Sequence, residues 1–206
     1  MKPTIALTKG RVEKQFLKFF ASLSYDVEPL INKGRKLRVE TDDFLFVFAK
    51  GVDVTTYVEH GIADLGIVGE DILAEFQPDV YNLFPLPFGE CRMALAKEKG
   101  KEWPEGKRRI ASKYTNITKE YFKQKGESVE IFKLEGSVEL APILGLADGI
   151  VDIVETGTTL KENGLVVTDE FMHFSARCIA NRSSLKIKRN ELAKVIEAFQ
   201  RGLTVK

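Results

Sequence analysis

Apolar positions along the chain come in short runs that alternate with stretches of helical period. Ile5-Ala6-Leu7 is the first run, and beyond Gly10 apolar residues recur at Phe16, Phe19, Phe20 and Leu23, the i, i+3, i+4, i+7 spacing of one helix face. Phe44 to Ala49 reads as a second strand, followed by a short helix carrying Val54, Tyr57 and Val58, with Asp53 as its expected N-cap and Gly61 as its stop. Ala63 to Val68 is a third strand, broken by Gly69. Cys91 to Ala96 is strand-like, and the charged stretch from Lys97 to Arg109, punctuated by Pro and Gly, reads as a surface loop. A strand from Arg109 to Lys113, a helix from about Ile117 stopped by Gly126, and a strand from Val129 to Leu134 make a β-α-β unit. Ser137 is the expected cap of the next helix, which leads to Ala147, and Ile150 to Val154 is another buried strand. After a turn at Gly164 and a β-rich stretch to Ile179, Leu192, Val195, Ile196 and Phe199 line one face of a terminal helix. The alternation predicts α/β architecture with mostly parallel strands.

Composition narrows what such a chain does. With 44% hydrophobic and 30% charged residues among 206, it is an ordinary globular sequence. A net charge of +1 supplies no global field for nucleic acid, so anion binding has to come from local constellations. The N-terminus lacks a signal-peptide apolar region and no run approaches the roughly 18 residues of a membrane span, so a cytoplasmic protein is expected. Cys91 and Cys178 stand far apart in apolar strand segments and read as reduced structural cysteines. His60 and His173 are isolated, and no Cys or His pair has zinc-ligand spacing, so no residue is assigned as a metal ligand.

Three turns carry candidate chemistry. In Ile150-Val151-Asp152-Ile153-Val154-Glu155-Thr156-Gly157-Thr158-Thr159, a strand ends in a small, hydroxyl-rich turn that opens a helix, so free backbone N–H groups and hydroxyls converge on one point suited to a phosphate. The same turn also fits an ordinary capped helix start. Asp152 and Glu155 flank it and, since phosphate would repel them, suit ribose hydroxyls or Mg²⁺. Gly136 and Ser137, between Glu135 and Glu139, form a second anion-tolerant turn, or a routine Ser cap. The third is Lys9-Gly10-Arg11, with Lys50 at the end of the second strand and Arg35 and Arg38 between them. Fixed cations there stabilise a phosphate or a departing pyrophosphate.

These motifs resemble the short form of ATP phosphoribosyltransferase, the enzyme that opens histidine biosynthesis. The resemblance runs through Ala6 to Arg11, Asp53 to Ile67, Lys113 to Thr118, Lys133 to Pro142, Gly145 to Asp148 and Asp152 to Leu160, nearly the whole chain in order. Many relatives carry Pro at the place of Thr55 and Arg near Lys50. The resemblance implies a two-lobed α/β fold like that of periplasmic binding proteins (type II), with the active site in the interlobe cleft. Lobe I would span residues 1–90 plus 176–206, and lobe II, carrying the loop for phosphoribosyl pyrophosphate (PRPP), residues 91–175.

The implied reaction joins N1 of the adenine of ATP to C1 of PRPP and releases pyrophosphate, with Mg²⁺ entering on the substrates. Lys9, Arg11 and Lys50 would be catalytic. Asp152, Glu155, Thr156, Gly157, Thr158 and Thr159 would bind PRPP, and Arg35, Gly69, Asp71, Gly136, Ser137 and Glu139 would bind ATP. Only about 30 residues follow Arg177, room for a strand and a helix but not for the histidine-sensing domain of long-form relatives. The resemblance therefore implies a homodimer within a hetero-oligomer, whose other subunit looks like histidyl-tRNA synthetase. Part of the Phe-rich stripe of helix 11–24 is a candidate contact for that subunit, core packing being its other use. An α/β chain of this shape also fits an effector-sensing binding module, because fold does not fix function.

Overall fold

The first apolar run forms β1 (Thr4–Thr8), in which Ile5, Ala6 and Leu7 are wholly buried. It leads into α1 (Arg11–Ser22), α2 (Glu28–Ile31), β2 (Arg38–Glu40), β3 (Leu45–Ala49), α3 (Gly51–Glu59), β4 (Leu65–Gly69), α4 (Glu70–Phe76) and β5 (Tyr81–Pro85). Then come β6 (Cys91–Glu98), β7 (Arg108–Ser112), α5 (Thr115–Gln124), β8 (Val129–Lys133), α6 (Leu140–Ile143), β9 (Gly149–Val154), α7 (Thr158–Glu162) and β10 (Leu165–Phe174). The chain ends with β11 (Ala176–Ala180), α8 (Ser184–Ile187) and α9 (Arg189–Thr204). This computed structural model describes residues 2–204. The chain divides into two compact units, one made of the residues up to Gly89 together with those from Ser175 onward, the other of Glu90–Phe174.

The first unit holds a sheet in the order β2-β3-β1-β4-β11-β5, and the second a sheet in the order β10-β6-β9-β7-β8. The expectation of mostly parallel strands needs correction, because both sheets are mixed. β1 lies parallel between β3 and β4, but β2, β11 and β5 pair antiparallel. In the second sheet β7 lies parallel between β8 and β9, whereas β6 pairs antiparallel with both β9 and β10. Strands joined by a crossover helix are forced parallel. The strands that open or close a unit are under no such constraint, and hydrophobic periodicity does not encode direction.

Helix α1 buries Phe16, Phe19 and Phe20. Phe16 and Phe20 stack at 5.2 Å, and Phe199 of α9 meets Phe16 and Phe19 edge-on, each at 5.9 Å. The Phe stripe is thus consumed by this unit's own core, so it offers no contact surface to another subunit. Two further expectations fail for local reasons. Helix α3 starts directly after β3 with extended Lys50 as its N-cap, which puts Asp53 inside the first turn, where its charge meets the positive helix end. Ser137 is not a helix cap. It sits at φ 49° and its carbonyl accepts the Leu140 N–H at 3.1 Å, which closes a turn before a four-residue helix capped by Glu139. Residues 99–107, between β6 and β7, form the expected surface loop, its Trp103 ring held by the cations of Lys97 and Arg108 at 5.4 and 4.8 Å from its centre.

Buried polar groups fix the C-terminal segment to the first sheet. The Asp64 carboxylate, 2% exposed, accepts the Thr4 N–H at 2.9 Å and the Ser184 hydroxyl at 2.7 Å, and pairs with the Lys188 ammonium at 2.8 Å. Asn181 saturates its side chain, donating to the carbonyls of Val58 and Glu59 and accepting the N–H groups of Ser183 and Ser184. In the second unit Arg109 grips Asp148 at 2.7 Å, and the guanidinium's hydrogen bonds hold that carboxyl below the usual range. Because removing one partner of a buried pair strands the other, Asp64→Ala is expected to cost about 3 kcal/mol. A urea denaturation midpoint equal to that of the unchanged protein would show that Lys188 simply turns to solvent.

Candidate active site

Parallel register brings the carboxyl ends of β3, β1 and β4 side by side, with Thr8 opposite Ala49 and Leu7 opposite Ile67. Ligands of α/β sheets gather at such an edge. The Lys9 N–H donates to the Ala49 carbonyl at 2.9 Å and the Thr8 hydroxyl to the Ile67 carbonyl at 2.8 Å, so the loop after β1 is tied to both neighbours. Gly10 follows at φ 92°, ψ −127°, a conformation open essentially to glycine alone, and caps α1. Lys9 and Lys50 are exposed at this edge and form no ion pair among the described residues, while Arg11 is partly buried in the first turn of α1. Arg35 lies exposed in the turn before β2, which runs beside the end of β3 because the Leu37 carbonyl accepts the Phe48 N–H at 2.9 Å. Gly69 ends β4 and caps α4, whose first turn carries the buried Asp71.

The second unit has an edge of the same kind at the ends of β8, β7 and β9. After β9 the chain turns through Glu155, Thr156 and Gly157, the last at φ 78°. The Thr156 and Thr158 hydroxyls lie 3.0 Å apart, and the Thr158 N–H donates to Thr156 Oγ1 at 3.3 Å. Arg92 pins the turn from below by donating to the Glu155 carbonyl at 3.0 Å. Its Nε is 2.6 Å from a Glu170 oxygen but is not aligned with it, so that contact is electrostatic rather than a hydrogen bond. Helix α7 has five residues and therefore little macrodipole, so any affinity of this turn for an anion would have to come from the backbone N–H groups and hydroxyls of 156–159. Asp152 stands inside β9, two residues before its end, with Oδ1 accepting the Ile153 N–H at 2.8 Å. A Cβ at Gly136 would meet nothing within 4 Å, Ser137 is exposed, and Glu139 caps α6.

Lys9, Arg11, Arg35, Lys50, Gly69 and Asp71 thus share the first unit, and Gly136, Ser137, Glu139, Asp152 and Glu155 to Thr159 share the second. Among the described residues no group of three or more His, Cys, Asp or Glu side chains is placed to hold a metal ion. Burial pushes the Cys178 thiol up to about 12, which makes it chemically inert.

The ATP phosphoribosyltransferase (HisG) family model matches residues 50–201. The ATP phosphoribosyltransferase of Bacillus cytotoxicus is 49% identical over 199 residues, covering 95% of each chain. This chain belongs to the ATP phosphoribosyltransferase family. The ATP phosphoribosyltransferase of Clostridium kluyveri is 50% identical over 203 residues, 97% of this chain and 93% of that one. Among solved structures, the ATP phosphoribosyl transferase (HisG:HisZ) complex from Thermotoga maritima superposes with a TM-score of 0.85 at 37% identity, over 99% of this chain and 100% of that one. The alkanesulfonate-binding protein SsuA from Xanthomonas axonopodis pv. citri reaches 0.62 at 14% identity, over 98% of this chain and 72% of its own, a likeness of fold alone. The architecture is therefore the type II fold of periplasmic binding proteins. The reaction is that of the ATP phosphoribosyltransferase family: the phosphoribosyl group of PRPP goes to N1 of the adenine of ATP, and pyrophosphate leaves, in the first step of histidine biosynthesis.

Sequence reasoning passed over Thr8, Glu13 and Lys33, which shape the first edge. The spacing of Gly10 and Glu13, three residues apart ahead of an apolar helix, carried a capping-box signal, and the Glu13 carboxylate does accept the Gly10 N–H at 3.3 Å. A Cβ at Gly10 would meet nothing within 4 Å, so Gly10→Ala isolates backbone strain from crowding. The expected outcome is a stability loss of about 1–3 kcal/mol together with a fall in kcat/KM. Unchanged thermal unfolding and unchanged kinetics would show that the loop relaxes without consequence.

Proposed function

We propose that the turn Glu155 to Thr159 cradles the 5-phosphate of PRPP, and that this chain acts as the short-form catalytic subunit of its family. The observation that supports it most is the turn itself: exposed N–H groups, the hydroxyls of Thr156, Thr158 and Thr159, and a glycine that leaves the backbone open to an anion. Asp152 and Glu155 then serve the ribose hydroxyls. Lys9, Arg11 and Lys50 neutralise charge that grows on the departing pyrophosphate, and Arg35, Gly69, Asp71, Gly136, Ser137 and Glu139 take ATP.

In the reaction a bond forms between adenine N1 and ribose C1 while the bond from C1 to the pyrophosphate oxygen breaks. The attacking lone pair belongs to neutral adenine, which has no proton to remove there, so the site has no need of a general base. What the residues supply is orientation, worth on the order of 7–11 kcal/mol in favourable cases, and fixed positive charge where negative charge develops. Mg²⁺ bound to PRPP and ATP would help neutralise their phosphates, and no residue of this chain is assigned as its ligand. Both substrates are cytoplasmic metabolites, and that is where the protein is proposed to act.

A Gly157→Val change crowds this turn with no direct clash, the nearest atom to an added Cβ being Val154 Cγ1 at 3.8 Å, but at φ 78° it also strains the backbone, so thermal unfolding is measured beside the kinetics. The KM for PRPP is expected to rise by tenfold or more. Unaltered PRPP kinetics in folded protein would remove the cradle assignment.

The Thermotoga maritima structure is a HisG:HisZ complex. By analogy this chain is proposed to assemble as a homodimer with a subunit resembling histidyl-tRNA synthetase, which activates it by favouring the competent conformation and lends it inhibition by histidine. Gel filtration with that subunit, followed by an absorbance assay for phosphoribosyl-ATP, checks this. Co-elution, a raised rate and new histidine sensitivity are expected; separate elution and an unchanged rate would sink the proposal.

A further inference from the structure

We infer that Glu13 and Lys33 form a positioning pair for the Lys9-Gly10-Arg11 loop, one that holds the loop's backbone while cancelling the negative charge this hold brings to an anion-binding edge. One oxygen of Glu13 accepts the Gly10 N–H at 3.3 Å, and the other lies 2.8 Å from the Lys33 ammonium. Both side chains are largely withdrawn from water, at 13% and 16% exposure, so solvent screens the pair far less than it would a surface pair. The same ammonium sits 4.7 Å from the centre of the Phe48 ring. Phe48 is buried near the end of β3, one residue before Ala49, whose carbonyl takes the Lys9 N–H. Lys33 therefore joins the start of α1, the turn that carries Arg35, and the strand end that carries Lys50.

The inference rests on the reading that Lys9 and Arg11 meet substrate phosphate. A carboxylate bonded to the loop would by itself repel phosphate and draw Lys9 and Arg11 inward. Lys33 occupies that carboxylate and so keeps it from competing with the substrates for Lys9. The cost of losing Lys33 is thus not only a missing ion pair but an unmatched negative charge hydrogen-bonded to the loop proposed to meet the anion. Removing Glu13's charge as well should reverse that part of the damage.

The test is a set of full-length variants assayed with ATP, PRPP and Mg²⁺, with thermal unfolding measured alongside. Lys33→Met keeps the aliphatic packing on Phe48 and exposes the Glu13 charge, so KM for PRPP or ATP should rise on the order of tenfold. Glu13→Gln keeps an acceptor for Gly10 and should stay within a few-fold of the unchanged enzyme. The double variant Glu13→Gln with Lys33→Met should recover most of the lost KM without recovering thermal stability, a pattern that a merely structural salt bridge does not produce. An unchanged KM in Lys33→Met, or a double variant no better than Lys33→Met, overturns the inference. Should Lys33→Met not fold, Lys33→Gln compared with Lys33→Arg decides it, with the charge-keeping variant expected to retain KM and equal KM values overturning the idea. Arg11→Ala separates the two levels. If it is damaging while Lys33→Met is silent, the loop's role stands and the positioning pair falls; if it is silent, the loop's role and the inference both fall.

Discussion

Everything at the candidate site depends on the parallel pairing of β1 with β3 and β4, and of β7 with β8 and β9. Parallel neighbours end at the same edge, so each strand-to-helix turn delivers its residues beside those of the next. The ladder satisfies the backbone of the strands and leaves the turns beyond them with N–H groups to spare. Residues as distant in sequence as Lys9 and Lys50 then become neighbours without any side-chain interaction between them. The antiparallel strands close the sheets and brace these edges from the side, Arg92 of β6 holding the Glu155 carbonyl and Arg177 of β11 pairing with Glu70.

Charge placement follows a consistent rule. Two carboxylates beside the turns proposed to meet phosphate are engaged within the protein: Glu13 by Gly10 and Lys33, and Glu70, at the start of α4, by Arg177 of β11. Lys9, Lys50 and Arg35, by contrast, have no ion-pair partner among the described residues. A cation already matched to a protein carboxylate has less to offer a phosphate, because breaking the first pair offsets part of the gain from the second. The distribution thus favours a substrate that brings its own negative charge, as PRPP and ATP do.

The deep polar groups serve a different end. Asp64 and Asn181 are not among the residues proposed to meet substrate; between them they bind the start of β1, the end of α3 and the beginning of α8. With Phe199 set among the rings of Phe16, Phe19 and Phe20, they make the C-terminal segment part of the first unit's core rather than an appendage. The apolar contacts provide most of the attraction, while fully satisfied polar groups specify where the segment docks.

Read alone, the sequence determined the strands β1, β3, β4, β7, β8 and β9, the helices α1, α5 and α9, and the α/β class, because burial of one face imposes a local period that survives in any single chain; the type II fold followed only from the resemblance to the family. It also determined the family, through long motifs whose glycines and hydroxyls answer to backbone geometry. Strand direction, the turn at Ser137, the partners of Asp64 and the pairing of Glu13 with Lys33 were beyond it. Asp64 meets Lys188 across 124 positions of sequence, and Arg109 meets Asp148 across 39. Periodicity reports that a residue is buried or exposed, not which distant residue it faces. Only the folded chain, by bringing those positions within hydrogen-bond reach, decided which charges are matched inside the protein and which remain for a ligand.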